Sequence, residues 1–179
     1  LCADNTYPLF VLSVIAENYE NKKIPSFDCA FVGVEEKEGA YYLTYSYLEQ
    51  FIVTAVITAC PETEEFRFRI CVKNNTSSLI EWVEYPGVSW QDDLDGSKKS
   101  NILWIFNEGA LVSYNKGKMW PYEDPCYPSW GTFGIFPNMV QSQFMAYLYD
   151  DGGMYIGCHD QHKNVKQIDF YHKDERVKL

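Results

Sequence analysis

Apolar positions along this chain recur at every second residue, the period of a strand with unlike faces. The pattern is cleanest at 66–73, where Phe66, Phe68, Ile70 and Val72 alternate with Arg67, Arg69, Cys71 and Lys73. One of those faces meets a core and the other meets water or acidic neighbours. The same alternation runs through 142–150, with Phe144, Ala146 and Leu148 set against Gln143, Met145, Tyr147 and Tyr149. It resumes in 154–160, where Met154, Ile156 and Cys158 oppose Tyr155, Gly157 and His159. The Asp150-Asp151-Gly152-Gly153 junction between these runs tolerates positive φ and predicts a tight hairpin. No stretch shows a 3.6-residue stripe behind a capping box.

Earlier in the chain, 9–17 (LFVLSVIAE) is apolar on both parities, as in a strand covered on two sides. The polar 18–25, ending in Pro25, predicts a loop. Segments 29–35 and 40–48 predict a hairpin about Glu36-Lys37-Glu38-Gly39, with Tyr41, Leu43, Tyr45 and Tyr47 on one face. Further strands are expected at 51–60, 79–85 and 165–172, and a short hairpin at 102–106 and 110–114. The stretch 115–138 carries four prolines and little periodicity, so it predicts one long, ordered, aromatic loop. Beyond the last strand, 173–179 reads as a tail leading onward. Ten or more strands without helices give an all-β fold, an antiparallel β-sandwich spanning 1–179 as a single domain. A jelly roll of the carbohydrate-binding kind is the other arrangement this pattern allows.

With 46% hydrophobic residues the 179-residue chain can fill a core, and 22% charged residues argue against disorder. Aromatic residues make up 17%. Most of that excess suits pleated surfaces, and the remainder suits rings that stack on a ligand. A net charge of −10 without a Lys/Arg patch argues against nucleic acid as a partner. No apolar run approaches the ~20 residues of a membrane-spanning helix, so no membrane partner is expected. The opening Leu1-Cys2-Ala3-Asp4 lacks the features of a signal peptide and reads as the start of a piece trimmed from something longer. Six cysteines without a CxxC or a recurring Cys/His spacing predict mostly free thiols and no zinc.

Candidate chemistry gathers in three places. Asp92, Asp93 and Asp95 follow Trp90 in a loop with a hint of calcium-ligand spacing. The closing Glu of that register is missing, since Leu103 or Trp104 would occupy it, and a solvated acidic turn accounts for the loop. Paired carboxylates also serve glycoside hydrolysis, at separations a sequence does not give. His159, Asp160 and His162 follow the hairpin, either as a tuned acid–base group or as a hydrogen-bonded loop closure. Trp120, Tyr122, Tyr127 and Trp130 lie with Glu123 and Asp124 in the long loop, where rings beside carboxylates suit a polyhydroxylated ligand. The same rings suit a protein interface. Asn74 and Asn75 each open an N-x-S/T sequence, which a polar turn explains equally well. No P-loop, G-x-G-x-x-G or G-x-S-x-G occurs, so neither a cofactor nor a catalytic residue is assigned.

Several of these stretches occur together in a recognisable order: Trp90 with Asp95-Gly96, 107–112 (NEGALV), Tyr127-Pro128, 143–150 (QFMAYLYD) and 152–160 (GGMYIGCHD). In combination they resemble the N-terminal β-sandwich of an uncharacterised family of bacterial glycoside-hydrolase-like proteins. The resemblance covers the second half of the chain by motif and the first half by pattern. It implies a galactose-mutarotase-like supersandwich preceding a (β/α)8 barrel that holds the catalytic carboxylates. The expectation is therefore a non-catalytic accessory domain that supports the barrel and contacts carbohydrate. Trp90, Asp92, Asp93, Trp120, Tyr122, Trp130, His159 and Asp160 are its candidate ligand-binding residues. An aldose epimerase or polysaccharide-lyase-like activity on the sandwich's concave face, and a plain protein-interaction module, are the alternatives. The His–Glu pair of a true mutarotase has no counterpart here, and likeness of fold does not carry activity with it.

Overall fold

The structure, a computed structural model, describes residues 7–91, 100–105, 109–115, 118–119, 131–137, 140, 142–173 and 176–179. Every described strand pairing is antiparallel, and the only helical element among these residues is a single 3-10 turn at Ser26–Asp28. The fold is all-β. Where the sequence reads as one sandwich over 1–179, the chain divides into two compact units, Asp4–Gly87 and Val88–Leu179.

In the Asp4–Gly87 unit, β1 (Val11–Ile15), β2 (Asn21–Pro25), β3 (Ala30–Lys37), β4 (Ala40–Tyr47), β5 (Phe51–Cys60), β6 (Glu65–Asn74) and β7 (Leu79–Glu84) follow in order. They form a three-stranded sheet β2-β1-β7 and a four-stranded sheet β3-β4-β5-β6. Between the sheets Phe10, Leu12, Val14 and Ile24 meet Phe51 and Val53 in one buried cluster. Leu12 and Ile24 are 0% and 1% exposed, so each contributes about 1.5–3 kcal/mol through burial. The strand at 9–17 is shorter than its apolar run. Only Leu12 and Val14 are buried, while Val11, Ser13 and Ile15 are partly open. The loop expected at 18–25 holds β2, an edge strand whose Asn21, Lys22 and Lys23 face water and whose Ile24 alone enters the core. Lysines on an edge hide a strand from a periodicity test and also protect it from pairing with another chain. The strand at 66–73 alternates as expected, though its apolar face is only partly covered and Phe66 remains 58% exposed.

The Val88–Leu179 unit contains β8 (Ser89–Gln91), β9 (Ser100–Trp104), β10 (Ala110–Asn115), β11 (Lys118–Met119), β12 (Gly131–Phe136), β13 (Phe144–Tyr149), β14 (Gly152–Gly157), β15 (Lys166–Lys173) and β16 (Arg176–Lys178). Their sheets are β11-β10-β9-β13-β14 and β12-β15-β16-β8. The core between them gathers Trp90, Ile102, Phe136, Val140, Met145, Tyr147, Ile168 and Phe170. Two expectations are corrected here. The stretch 115–138 is not one loop, because it contains β11 and β12, and the 173–179 tail contains β16. β12 carries glycines at 131 and 134 and lies at a sheet edge, and β16 has one apolar residue in three, so neither shows a period.

Candidate functional site

In the Val88–Leu179 unit the β13–β14 hairpin carries an exposed aromatic ring, Tyr155, and leads into His159 and Asp160. Tyr149 pairs with Gly152, which leaves Asp150 and Asp151 as a two-residue turn and places both glycines already inside β14. Alternation sorts the hairpin into two faces. Met145 and Tyr147, at 1% and 0% exposure, enter the core, with Met154 and Ile156 packed against it. Phe144, Ala146 and Leu148 therefore lie on the outer face with Gly153, Tyr155 and Gly157.

On that outer face the rings of Phe144, Tyr155 and His159 form a row. Phe144 and Tyr155 have centroids 5.3 Å apart and planes tilted by 31°, and Tyr155 and His159 lie at 5.9 Å with the same tilt. The Tyr155 hydroxyl and His159 Nε2 are 3.5 Å apart. Gly157 is the reason the rings can lie down: a Cβ built there would stand 2.5 Å from the Tyr155 hydroxyl and 2.7 Å from ring carbons. The Tyr155 ring occupies the space that any other residue at 157 would fill. Tyr155 stays 58% exposed and His159 is open to solvent, so the row presents a slightly curved aromatic strip.

Asp160 turns away from this row. Its Oδ1 accepts the His162 backbone N–H at 2.9 Å, and its Oδ2 accepts the Asn164 N–H at 2.8 Å and the Lys166 ammonium at 3.0 Å. Lys166 Nζ in turn donates to Gln143 Oε1 at 2.8 Å and to the Asn164 carbonyl at 2.6 Å, which uses all three of its protons. The ammonium sits 5.0 Å from the Phe136 ring centre, a further favourable contact. Gln143 closes the circuit by donating to the Asp160 carbonyl at 3.2 Å. The Lys166 hydrogen bond, and after it the His162 N–H, hold the Asp160 carboxyl well below the usual carboxylate range, against a smaller opposing effect of desolvation. A carboxylate so pinned neither gives nor takes a proton near neutrality. Its work is to fix the loop that carries His159.

Of the residues singled out by sequence, His159 joins the aromatic row and Asp160 clamps the loop beneath it. Trp90 is a correction. It is 6% exposed and packs edge-to-face on Tyr147 and Phe170 at 5.5 and 6.0 Å, because β8 draws it into the core. Its indole N–H is buried without a partner among the described residues. Asp92, Asp93, Asp95, Trp120, Tyr122, Glu123, Asp124, Tyr127 and Trp130 lie outside the described residues. Phe144, Tyr155 and Lys166 are not among the candidate site residues named from the sequence, although Gly153-x-Tyr155-x-Gly157, an aromatic flanked by glycines on one strand face, was a usable signal for the second of them. Among the described residues no three His, Cys, Asp or Glu side chains gather as a metal site, and Cys29, Cys60, Cys71 and Cys158 are free thiols. No protein-family model, curated protein or solved structure matches the chain.

Proposed function

We propose that this chain is a non-catalytic, carbohydrate-contacting β-sandwich region of a carbohydrate-active enzyme, and that the Phe144–Tyr155–His159 row is where glycan touches it. The observation that carries this reading is the exposure of Tyr155, a ring laid flat over a glycine between two further rings. An exposed aromatic strip with no role in the core suits the C–H face of a pyranose, while the Tyr155 hydroxyl and the His159 nitrogen supply polar groups at its edge. The galactose-mutarotase-like subtype and a (β/α)8 barrel partner belong to the same proposal and rest on the motif resemblance. An epimerase or lyase needs a proton donor and acceptor, and Asp160, the carboxylate nearest the row in sequence, is committed to Lys166.

One observation favours a protein partner instead. Leu111, Leu103, Ala146 and Tyr155 stand opposite one another across β10, β9, β13 and β14, so the row continues into an apolar stripe in which Leu111 is 60% exposed. Glycan-array binding of the intact chain beside its Tyr155→Ala variant separates the two readings. The glycan reading expects binding that falls roughly tenfold or more in the variant at an unchanged melting temperature. Glycan binding that ignores the substitution, or a protein ligand in place of any glycan, would sink it.

A further inference from the structure

The Asp4–Gly87 unit holds a cleft of its own, about 520 Å3, at the end of the sandwich where three turns meet. Its apolar lining comes from the half-buried Ala16 and Tyr47, while Val14, Ile24 and Phe51, at 4%, 1% and 2% exposure, close its base and leave almost no surface of their own. Its walls come from the β1–β2 turn, the β4–β5 turn and the β6–β7 turn, and those turns are laced together. The Asn75 backbone N–H donates to the Gln50 carbonyl at 2.8 Å, and Asn75 Nδ2 donates to the Glu49 carbonyl at 2.9 Å. Asn74 Oδ1 accepts from the Thr76 N–H at 2.9 Å, which fixes the third turn. The Ser77 hydroxyl donates to Glu17, joining the third turn to the first. A cleft tied in this way exists before a ligand arrives, and preorganisation of that kind reduces the ordering cost of binding.

The rim has a definite chemistry. Lys22 donates to the Tyr47 hydroxyl and lies 4.9 Å from that ring's centre, and among the described residues it has no carboxylate partner. Glu17 supplies one negative charge against it, so the rim is electrically balanced. The side-chain amide of Gln50 and the Nδ2 of Asn18 line the opening without a hydrogen bond among the described residues. Hydroxyls of Thr76, Ser77 and Ser78 complete it. Amides and hydroxyls both give and accept, and a carboxylate accepts, as the vicinal hydroxyls of a sugar require, while the apolar lining takes its C–H face. A net anion would meet Glu17 and a net cation would meet Lys22.

We propose that this cleft binds a neutral saccharide, one pyranose unit deep, with its hydroxyl edge on Gln50, Asn18 and Glu17 and its C–H face on Ala16 and Tyr47. It shares the ligand class of the function proposed above but stands on its own lining and does not depend on the aromatic row.

The test is saturation-transfer NMR on the intact chain with the methyl glycosides of glucose, galactose, mannose and N-acetylglucosamine, and with glycine as a zwitterionic probe. Gln50→Ala removes the free amide and leaves the backbone atoms that lace the turns, and Glu17→Gln keeps the acceptor for Ser77 while removing the charge. At least one methyl glycoside is expected to bind in the millimolar range, with each substitution weakening it roughly tenfold. The cleft variants are compared in a Tyr155→Ala background, so that glycan held by the aromatic row does not contribute to the signal. Absence of any glycoside signal, binding that survives both cleft substitutions, or binding of glycine alone would overturn the proposal. Loss of the signal in Tyr155→Ala alone would also overturn it, while leaving the aromatic row as the sugar site.

Discussion

Asp160 shows how far a single residue can be read from sequence. The His159-Asp160 pair marked the place, and hydrogen-bonded loop closure was one of its two readings. The partner that decides the matter, Lys166, lies six positions on, and the loop brings it back through a left-handed Lys163 at φ 55°. Such a residue conformation leaves no trace in the periodicity of its neighbours. Trp90 is the opposite case: flanked by polar residues, it suggested a ligand-facing ring, yet a three-residue strand suffices to bury it. The Asp160 clamp has a pH signature with a definite sign. Its carboxyl titrates lower in the folded chain than in the unfolded one, so its stabilisation is complete above the ordinary aspartate pKa of about 3.9 and declines as pH falls below it. Asp160→Asn, which leaves Lys166 without its carboxylate, is expected to lower the melting temperature at pH 7. The gap from wild type should shrink steadily in scans taken below about pH 4. A gap that stays constant down to pH 2 would show that the ion pair contributes nothing.

At the scale of the element, the β13–β14 hairpin was the clearest feature in the sequence, and it turns at the junction expected, with Gly152 and Gly153 already in the second strand. Two details were hidden. Alternation announces two unlike faces without saying which is inside, and the core takes Met145 and Tyr147 while Phe144 and Leu148 stay out. The glycines, too, do more than turn the chain. At Gly153 an added Cβ would lie 2.7 Å from the Tyr147 carbonyl and 2.8 Å from Leu148 Cδ2, a clash with backbone that nothing nearby can relieve. At Gly157 it would meet only the outer end of Tyr155, a ring free to swing toward solvent. The two positions should therefore separate stability from function. Gly153→Ala is expected to destabilise by about 1–3 kcal/mol in urea unfolding. Gly157→Ala should change stability by less than about 1 kcal/mol, since relief of glycine's chain entropy offsets the displaced ring, but should abolish glycan binding at the aromatic row. Equal losses of stability at both sites would mean that the Tyr155 ring is held as firmly as backbone.

The whole molecule was legible as all-β and antiparallel, because that conclusion needs only the period of two. Its division was not. Periodicity places Leu12, Val53, Ile102 and Tyr147 on strands, but both halves carry the same period, and nothing in it tells which residues share one interior. The structure assigns Leu12 and Val53 to one cluster and Ile102 and Tyr147 to another. Each cluster is enclosed by two sheets of its own unit, with long-range pairings such as β1 with β7 and β9 with β13 falling within a unit. Cooperative units in hydrogen exchange tend to follow such boundaries. Leu12→Ala and Ile102→Ala, both at residues 0% exposed, should each cost about 2–5 kcal/mol, but in different places. In hydrogen–deuterium exchange of the intact chain, Leu12→Ala is expected to release amides of β1, β2, β5 and β7 while β9, β13 and β14 keep their protection. Ile102→Ala should do the reverse. If either substitution releases both sets together, the chain unfolds as one cooperative body. The single sandwich read from the sequence would then describe its energetics better than the two clusters do.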